Sequence, residues 1–212
     1  MNTDAAGATL RLVDPSERLH VSWLESRDEW GRGVHQPGTG LWLADDLDLD
    51  SAEGFSTWLA RLRRESDTSV PPDPGKVHAS YWWIVEGERY LGAITLRYDL
   101  NEYLLQVGGH IGFGIRPSAR RRGLARWALR AVLPRARALG LDRVLVTCDD
   151  DNVASARTIE SNGGVLEDVR EVEGGPKRRY WVDLATAPWS DPSPSRGSRR
   201  TGPAPTRVSG SR

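Results

Sequence analysis

The chain has 212 residues, with 29 Lys and Arg balancing 29 Asp and Glu, so its formal net charge is zero. That length suits one ordinary domain plus tails and is enough to bury a core. The balance argues against a globally basic nucleic-acid binder, no apolar run approaches the roughly 20 residues that span a bilayer, and a single cysteine, Cys148, rules out an intramolecular disulfide.

The start, MNTDAAGATL, lacks a basic segment followed by an apolar one, and a lone thiol suits a reducing compartment. A soluble, cytoplasmic protein is the expectation. Nine tryptophans against two phenylalanines predict that indoles fill much of the interior. The charge is uneven along the chain. Residues 190–212 carry Arg196, Arg199, Arg200, Arg207 and Arg212 against Asp191, a tail of +4, which leaves −4 on residues 1–189. Rich in Ser, Pro, Gly and Arg, residues 189–212 cannot repay their ordering entropy and are predicted to be a disordered basic tail after a domain at 1–188.

Alternation in TLRLVD predicts a first strand at 8–13. Asp14, Pro15 and Glu17 then supply a cap, a first-turn proline and a capping-box acid for a helix to about Trp30, with Leu19, Trp23 and Leu24 inward. GRGVHQPGTGLW reads as a loop. A second capping pattern, Asp50-x-x-Glu53, predicts a helix whose Phe55, Trp58, Leu59 and Leu62 share one side. TSVPPDPGKV breaks regular structure. A hairpin follows, Tyr81 to Val85 and Tyr90 to Tyr98 about Glu86-Gly87-Glu88. A short helix capped by Asp99 or Asn101 leads to a fourth strand, His110 to Ile115. Beyond it, a helix spans 123–139 with Gly140 at its end, and Pro134 predicts a kink or fraying within it. Asp142 to Cys148 reads as a buried strand, VASARTIESNGG as a helix, and Val165 to Val172 with Arg179 to Leu184 as closing strands. The fold class is therefore α/β, a mixed sheet with a central β-α-β unit and flanking helices.

The β-α junction, GGHIGFGIRPSARRRGLA, carries the clearest chemistry. The first amides of a helix lack partners, and the dipole makes that end partially positive, so a phosphate accepts several N–H bonds there. Gly123 lets the ligand come close, and Arg120, Arg121 and Arg122 add donors that suit phosphate oxygens. The pattern is neither a Walker A loop nor a dinucleotide fingerprint.

Arg120-x-x-Gly123-x-Ala125 after a strand ending Ile115-Arg116-Pro117 resembles the coenzyme A pyrophosphate loop of the GNAT superfamily of N-acetyltransferases. Asn152-x-x-Ser155-x-x-x-Ile159-Glu160-x-x-Gly163-Gly164 is similar to that superfamily's second cofactor motif. The resemblance covers roughly residues 80–185 and looks closest to a bacterial group with a Leu-Asn element, Leu100-Asn101, before Gly108 to Gly112. It implies a GNAT-like, mostly antiparallel sheet. It also implies acetyl transfer from acetyl-CoA to a primary amine of a small molecule or protein by direct attack. By that resemblance the backbone of Phe113, Gly114 and Ile115 pairs with pantetheine, and an amide there polarises the thioester carbonyl. Arg120, Arg121, Arg122, Gly123, Leu124 and Ala125 hold the pyrophosphate, while Asn152 and Ser155 shape the slot.

Ile159 stands where many members carry a tyrosine acid, and Gly164 where phenylalanine is usual. Either the thiolate leaves unaided, or Tyr180 or Tyr103 reaches it. Candidate bases are His110, Glu102 and Asp149, each with a structural reading beside it: a hydrogen-bonded histidine, a surface charge, a helix cap. Cys148, ending an apolar strand, reads as a core residue rather than an acyl carrier. His20, His35, His78 and His110 show no ligand spacing, so no metal is expected. A homodimer is a family trait carried over as an expectation. The alternatives are a non-catalytic acyl-CoA sensor and, with less support, nucleic-acid binding by the tail.

Overall fold

The computed structural model describes residues 9–185. The predicted basic tail lies outside them. One seven-stranded sheet runs in the order β1-β2-β3-β4-β5-β7-β6. Its strands are β1 (Leu10–Val13), β2 (Ala79–Glu86), β3 (Arg89–Arg97), β4 (Ile111–Ile115), β5 (Arg143–Asp149), β6 (Gly164–Arg170) and β7 (Lys177–Asp183). Four helices flank it, α1 (His20–Trp30), α2 (Ala52–Glu65), α3 (Leu124–Ala138) and α4 (Val153–Glu160). All neighbouring strands are antiparallel except β4 and β5, which are parallel and joined through α3.

Period-2 alternation along β2 and β3 sorts the interior onto two faces. Ile84, Leu91, Ile94 and Leu96 pack with Leu129, Val132 and Leu133 of α3 and Ile159 of α4. Trp83, Val85, Tyr90 and Ala93 face the other way, into α1 and α2. There an aromatic cluster forms: Trp23 lies 5.0 Å from Trp58 and Trp58 6.1 Å from Trp83, ring centre to ring centre. These three indoles are fully buried on this face, whereas Trp82 and Trp127 are only partly buried, against the opposite cluster, and Trp42 is exposed.

Helix starts differ from the capping patterns, for local reasons. Ser16 keeps extended backbone and Leu19 N–H bonds to its carbonyl, so a 3-10 turn at Glu17–Leu19 precedes α1 and Asp14 caps nothing. Asp50 is drawn to Arg27 and Arg32, and the neighbouring Ser51 caps α2 instead, its Oγ accepting from Gly54 N–H at 3.0 Å. Asn101, not Asp99, caps the turn after β3 by accepting from Leu104 N–H at 2.8 Å. α3 runs four residues past Pro134 rather than fraying, held on both sides by buried Leu133 and Ala136.

Candidate functional site

β4 and β5 share one register pair, Ile111 with Val146, and diverge beyond it. Arg116 N–H bonds to Leu91 O on the β3 side, so strand alternation turns the amides of Phe113 and Ile115 toward the gap, where β5 is out of reach. Gly112 and Gly114 leave the other surface of β4 bare, and the loop after α1 lies directly on it. A Cβ at Gly114 would stand 2.6 Å from Pro37 O, and one at Gly38 2.7 Å from Gly112 O. The gap opens into a cleft of about 660 Å³. Phe113, Thr147, Cys148, Asn152 and Ser155 line its gap end; Trp42, Glu65, Lys76, Tyr81 and Arg97 line the other.

After β4 the chain makes a 3-10 turn at Pro117–Ala119, and Arg121 and Gly123 take positive φ, 64° and 75°. Gly123 is the N-cap of α3 and offers no side-chain acceptor, so the helix's first amides stay unsatisfied. A Cβ at Gly123 would meet nothing within 4 Å, which leaves room for an anion. Two of the three arginines point elsewhere. Arg120 lies over the Trp30 ring at 4.5 Å and donates Nε to Ile115 O at 3.2 Å, and Arg122 pairs with Glu86 at 2.6 Å. The cradle is therefore mainly backbone, with exposed Arg121 beside it. α1 braces this turn. Buried Arg116 bonds Glu29 at 2.7 Å and Glu25 at 3.2 Å, while Glu29 accepts from Ser118 N–H and Oγ, each at 2.9 Å. Burial opposes ionisation of Glu29, but the Ser118 donors and the Arg116 guanidinium outweigh it and hold the carboxyl below its usual range.

At the start of α4, Asn152 Oδ1 accepts from Ser155 N–H at 3.0 Å, so Asn152 caps the helix while both residues line the cleft. Asp149 pairs with Lys177 and Asp150 with Arg178, tying β5 to β7. Cys148 is buried, and burial pushes its thiol up to about 11.

Of the expected catalytic side chains, His110, Glu102 and Tyr180 are not among the described residues lining the cleft, whereas Tyr103 and Asp149 are. His110 is buried between strands: its Nδ1 accepts Leu145 N–H at 2.9 Å, which places the ring proton on Nε2. Burial pushes this imidazole down to about 4, so it is neutral near pH 7. Glu102 is exposed on the turn after Asn101. Tyr180 lies in the core with its hydroxyl donating to Glu160 at 3.2 Å, and burial raises its phenol. Ile159, in the usual tyrosine position, is fully buried, and a Cβ at Gly164 would stand 2.4 Å from its Cγ2. The two departures from the resemblance are thus one packing solution.

Sequence reasoning missed Glu65, a half-buried carboxyl that burial and Asp73 raise above its usual range. A signal was present. Phe55, Trp58, Leu59 and Leu62 mark the inward stripe of α2, and Glu65 occupies its next turn.

A family model for the acetyltransferase (GNAT) domain matches residues 49–165, more than half of the chain. The chain belongs to the GNAT acetyltransferase family. Solved structures with this fold include a Salmonella typhimurium acetyltransferase that modifies the N-terminal serine of a 50S ribosomal subunit protein. It is 17% identical with a TM-score of 0.56, over 82% of this chain and 95% of that one. A ribosomal-protein-alanine acetyltransferase of Vibrio fischeri is 15% identical, TM-score 0.57, over 86% and 94%. Mycobacterium smegmatis RimJ in complex with CoA-disulfide is 18% identical, TM-score 0.57, over 82% and 80%. At such identities the likeness is one of fold. No curated protein matches the chain. In this GNAT protein the open amides of β4 and the bare N-terminus of α3 fit a CoA-type ligand, an extended amide-bearing arm ending in a pyrophosphate.

Proposed function

We propose that this GNAT protein transfers an acetyl group from acetyl-CoA to a primary amine of a small molecule or protein by direct attack. The observation that carries the reading is the continuity of the cleft, which joins the β4–β5 gap to a polar chamber lined by Glu65, Tyr81 and Arg97. The donor supplies an activated thioester. Amides of Phe113 and Ile115 pair with its arm and polarise the acyl carbonyl. Unsatisfied amides from Gly123 to Ala125, with Arg121, hold the pyrophosphate. Asn152 and Ser155 bound the arm on the β5 side. With its thiol pushed up to about 11, Cys148 stays protonated at neutral pH, which favours direct transfer over an acyl-cysteine relay. No helix among the described residues is long and apolar enough to cross a membrane. A cytoplasmic enzyme, with homodimer formation testable by light scattering, completes the proposal.

Burial of Ile159, the absence of His110, Glu102 and Tyr180 from the cleft wall and the pairing of Asp149 with Lys177 favour a second reading, a non-catalytic acyl-CoA sensor, against which Tyr103 on the cleft wall stands as a candidate acid. Two measurements decide. Acetyl-CoA at about a hundred times its dissociation constant adds roughly 2.7 kcal/mol, a rise of about 5–10 °C in Tm. Gly123→Trp should remove that shift, and ATP should not reproduce it. Acetyl-CoA-dependent thiol release over an amine panel then separates enzyme from sensor. An equal shift with ATP would reduce the site to a generic anion cradle.

A further inference from the structure

Two carboxylates line the cleft among the described residues, Asp149 and Glu65. Asp149 is paired with Lys177. Among the described residues the Glu65 carboxylate has neither a hydrogen bond nor an ion pair, although cations lie near it. Lys76 lies over the Trp42 ring at 4.1 Å. Arg97 spends Nη1 on the carbonyls of Gly108 and Gly109, both at 3.0 Å. Arg64 pairs with Asp73 at 3.5 Å, and His78 Nδ1 donates to the main-chain oxygen of Glu65 at 3.1 Å. Glu65 is also the last residue of α2, where the helix dipole disfavours a carboxylate. Half-buried and at the wrong end of a helix, this carboxylate feels Lys76 and Arg64 only at longer range and has no direct cation partner among the described residues. The adjoining wall is suited to one, since Lys76 on Trp42 shows that the aromatic surface takes positive charge.

The register sets the distance. Tyr81 pairs with Thr95 and Thr95 with Gly112, so these residues form a row from β2 to β4. Glu65 lies at the Tyr81 end, where its charge reaches that phenol and Arg97. Two strand spacings, about 10 Å, separate the Tyr81 end of this row, beside Glu65, from Gly112 on β4, next to the amides where an acyl group would sit. The geometry points to an elongated dicationic acceptor: one amine is acetylated at β4 while a second, about 10 Å away, is held by Glu65 against the aromatic wall. This rests on the N-acetyltransferase reading above. The attacking amine forms the C–N bond as the C–S bond breaks; of its three ammonium protons one stays on the amide nitrogen, one passes to solvent and one ends on the departing thiolate. Glu65 takes no part in those steps; it is a specificity residue.

The test is a molecular ruler: kcat/KM for α,ω-diamines from diaminopropane to diaminododecane, each against the monoamine of equal chain length. Wild type should prefer diamines at least tenfold where the second nitrogen lies about 10 Å from the first. Glu65→Gln should erase that preference, leave monoamine kcat/KM within twofold, and keep the wild-type Tm shift with acetyl-CoA, while Glu65→Asp should retain part of the preference. Equal kcat/KM for diamines and monoamines, no optimum of length, or a preference that survives Glu65→Gln overturns the inference and leaves the transferase reading intact. Failure of wild type to turn over any amine of either series overturns the inference, and the transferase reading falls with it only if the wider panel of small-molecule and protein amines also releases no thiol.

Discussion

His110 gives the sharpest test of how the buried chemistry of this protein is arranged. Its ring is buried, and desolvation pulls its pKa from 6.5 down to about 4, with Asp99 opposing and Arg97 assisting. Protonation would also put a proton on Nδ1 against the Leu145 N–H that it accepts. Because the folded pKa lies below the unfolded one, the unfolded chain takes up a proton first. This contribution is therefore intact above pH 6.5 and declines as the pH falls toward about 4. At pH 5 the linkage amounts to about 2 kcal/mol, and for a domain of this size that lowers Tm by about 4–8 °C relative to pH 7.5. Carboxylates titrate in the same window, so the quantity to measure is the difference between wild type and His110→Asn. The variant should be less stable at pH 7.5 and lose less on acidification. Proton NMR of the imidazoles supplies the direct readout. The resonance absent from His110→Asn should not move between pH 8 and about 5. A His110 midpoint near 6.5, or identical acid sensitivity in the two proteins, would refute this account and restore His110 as a candidate base.

Glu29→Ala leaves buried Arg116 with Glu25 alone and frees two donors on Ser118. It should cost about 2–4 kcal/mol in chemical denaturation and weaken CoA binding, because the turn before α3 loses its brace. A loss below about 0.5 kcal/mol would contradict that role. Gly114→Ala puts a methyl 2.6 Å from Pro37 O, so the loop must lift off β4. A cost of about 1–3 kcal/mol and a smaller acetyl-CoA shift should follow, and an unchanged Tm would show that the loop gives way freely. With Cys148 pushed from 9.0 to about 11, its thiolate fraction at pH 8 falls about a hundredfold. Iodoacetamide should label the native protein correspondingly slower than the unfolded chain, and equal rates would refute the burial argument.

Much of the architecture could be read from residue spacing, because strand and helix periods are local. Alternation in YWWIV and LGAITL marks the two faces of the hairpin, and the stripe Phe55, Trp58, Leu59, Leu62 marks the buried side of α2. Gly123 before an apolar helix predicts an anion-accepting turn whatever surrounds it. Helix starts were less legible. Asp50 and Ser51 are both good caps, and the choice falls to the arginines of α1 and the following loop, more than 15 residues away.

The site divides along the same line. Composition and the local motif RRRGLA determined a charged, open turn between a strand and a helix, since those properties belong to a few adjacent residues. Where the arginines point was decided by Trp30 and Glu86, which reach the turn only once α1 and the hairpin have docked. The neutrality of His110 comes from burial between β4 and β5, and the want of a direct ion pair at Glu65 among the described residues from the engagement of Lys76, Arg97 and Arg64 elsewhere. A pKa or an unpaired charge depends on all the groups that fold around it, so only the tertiary structure decides it.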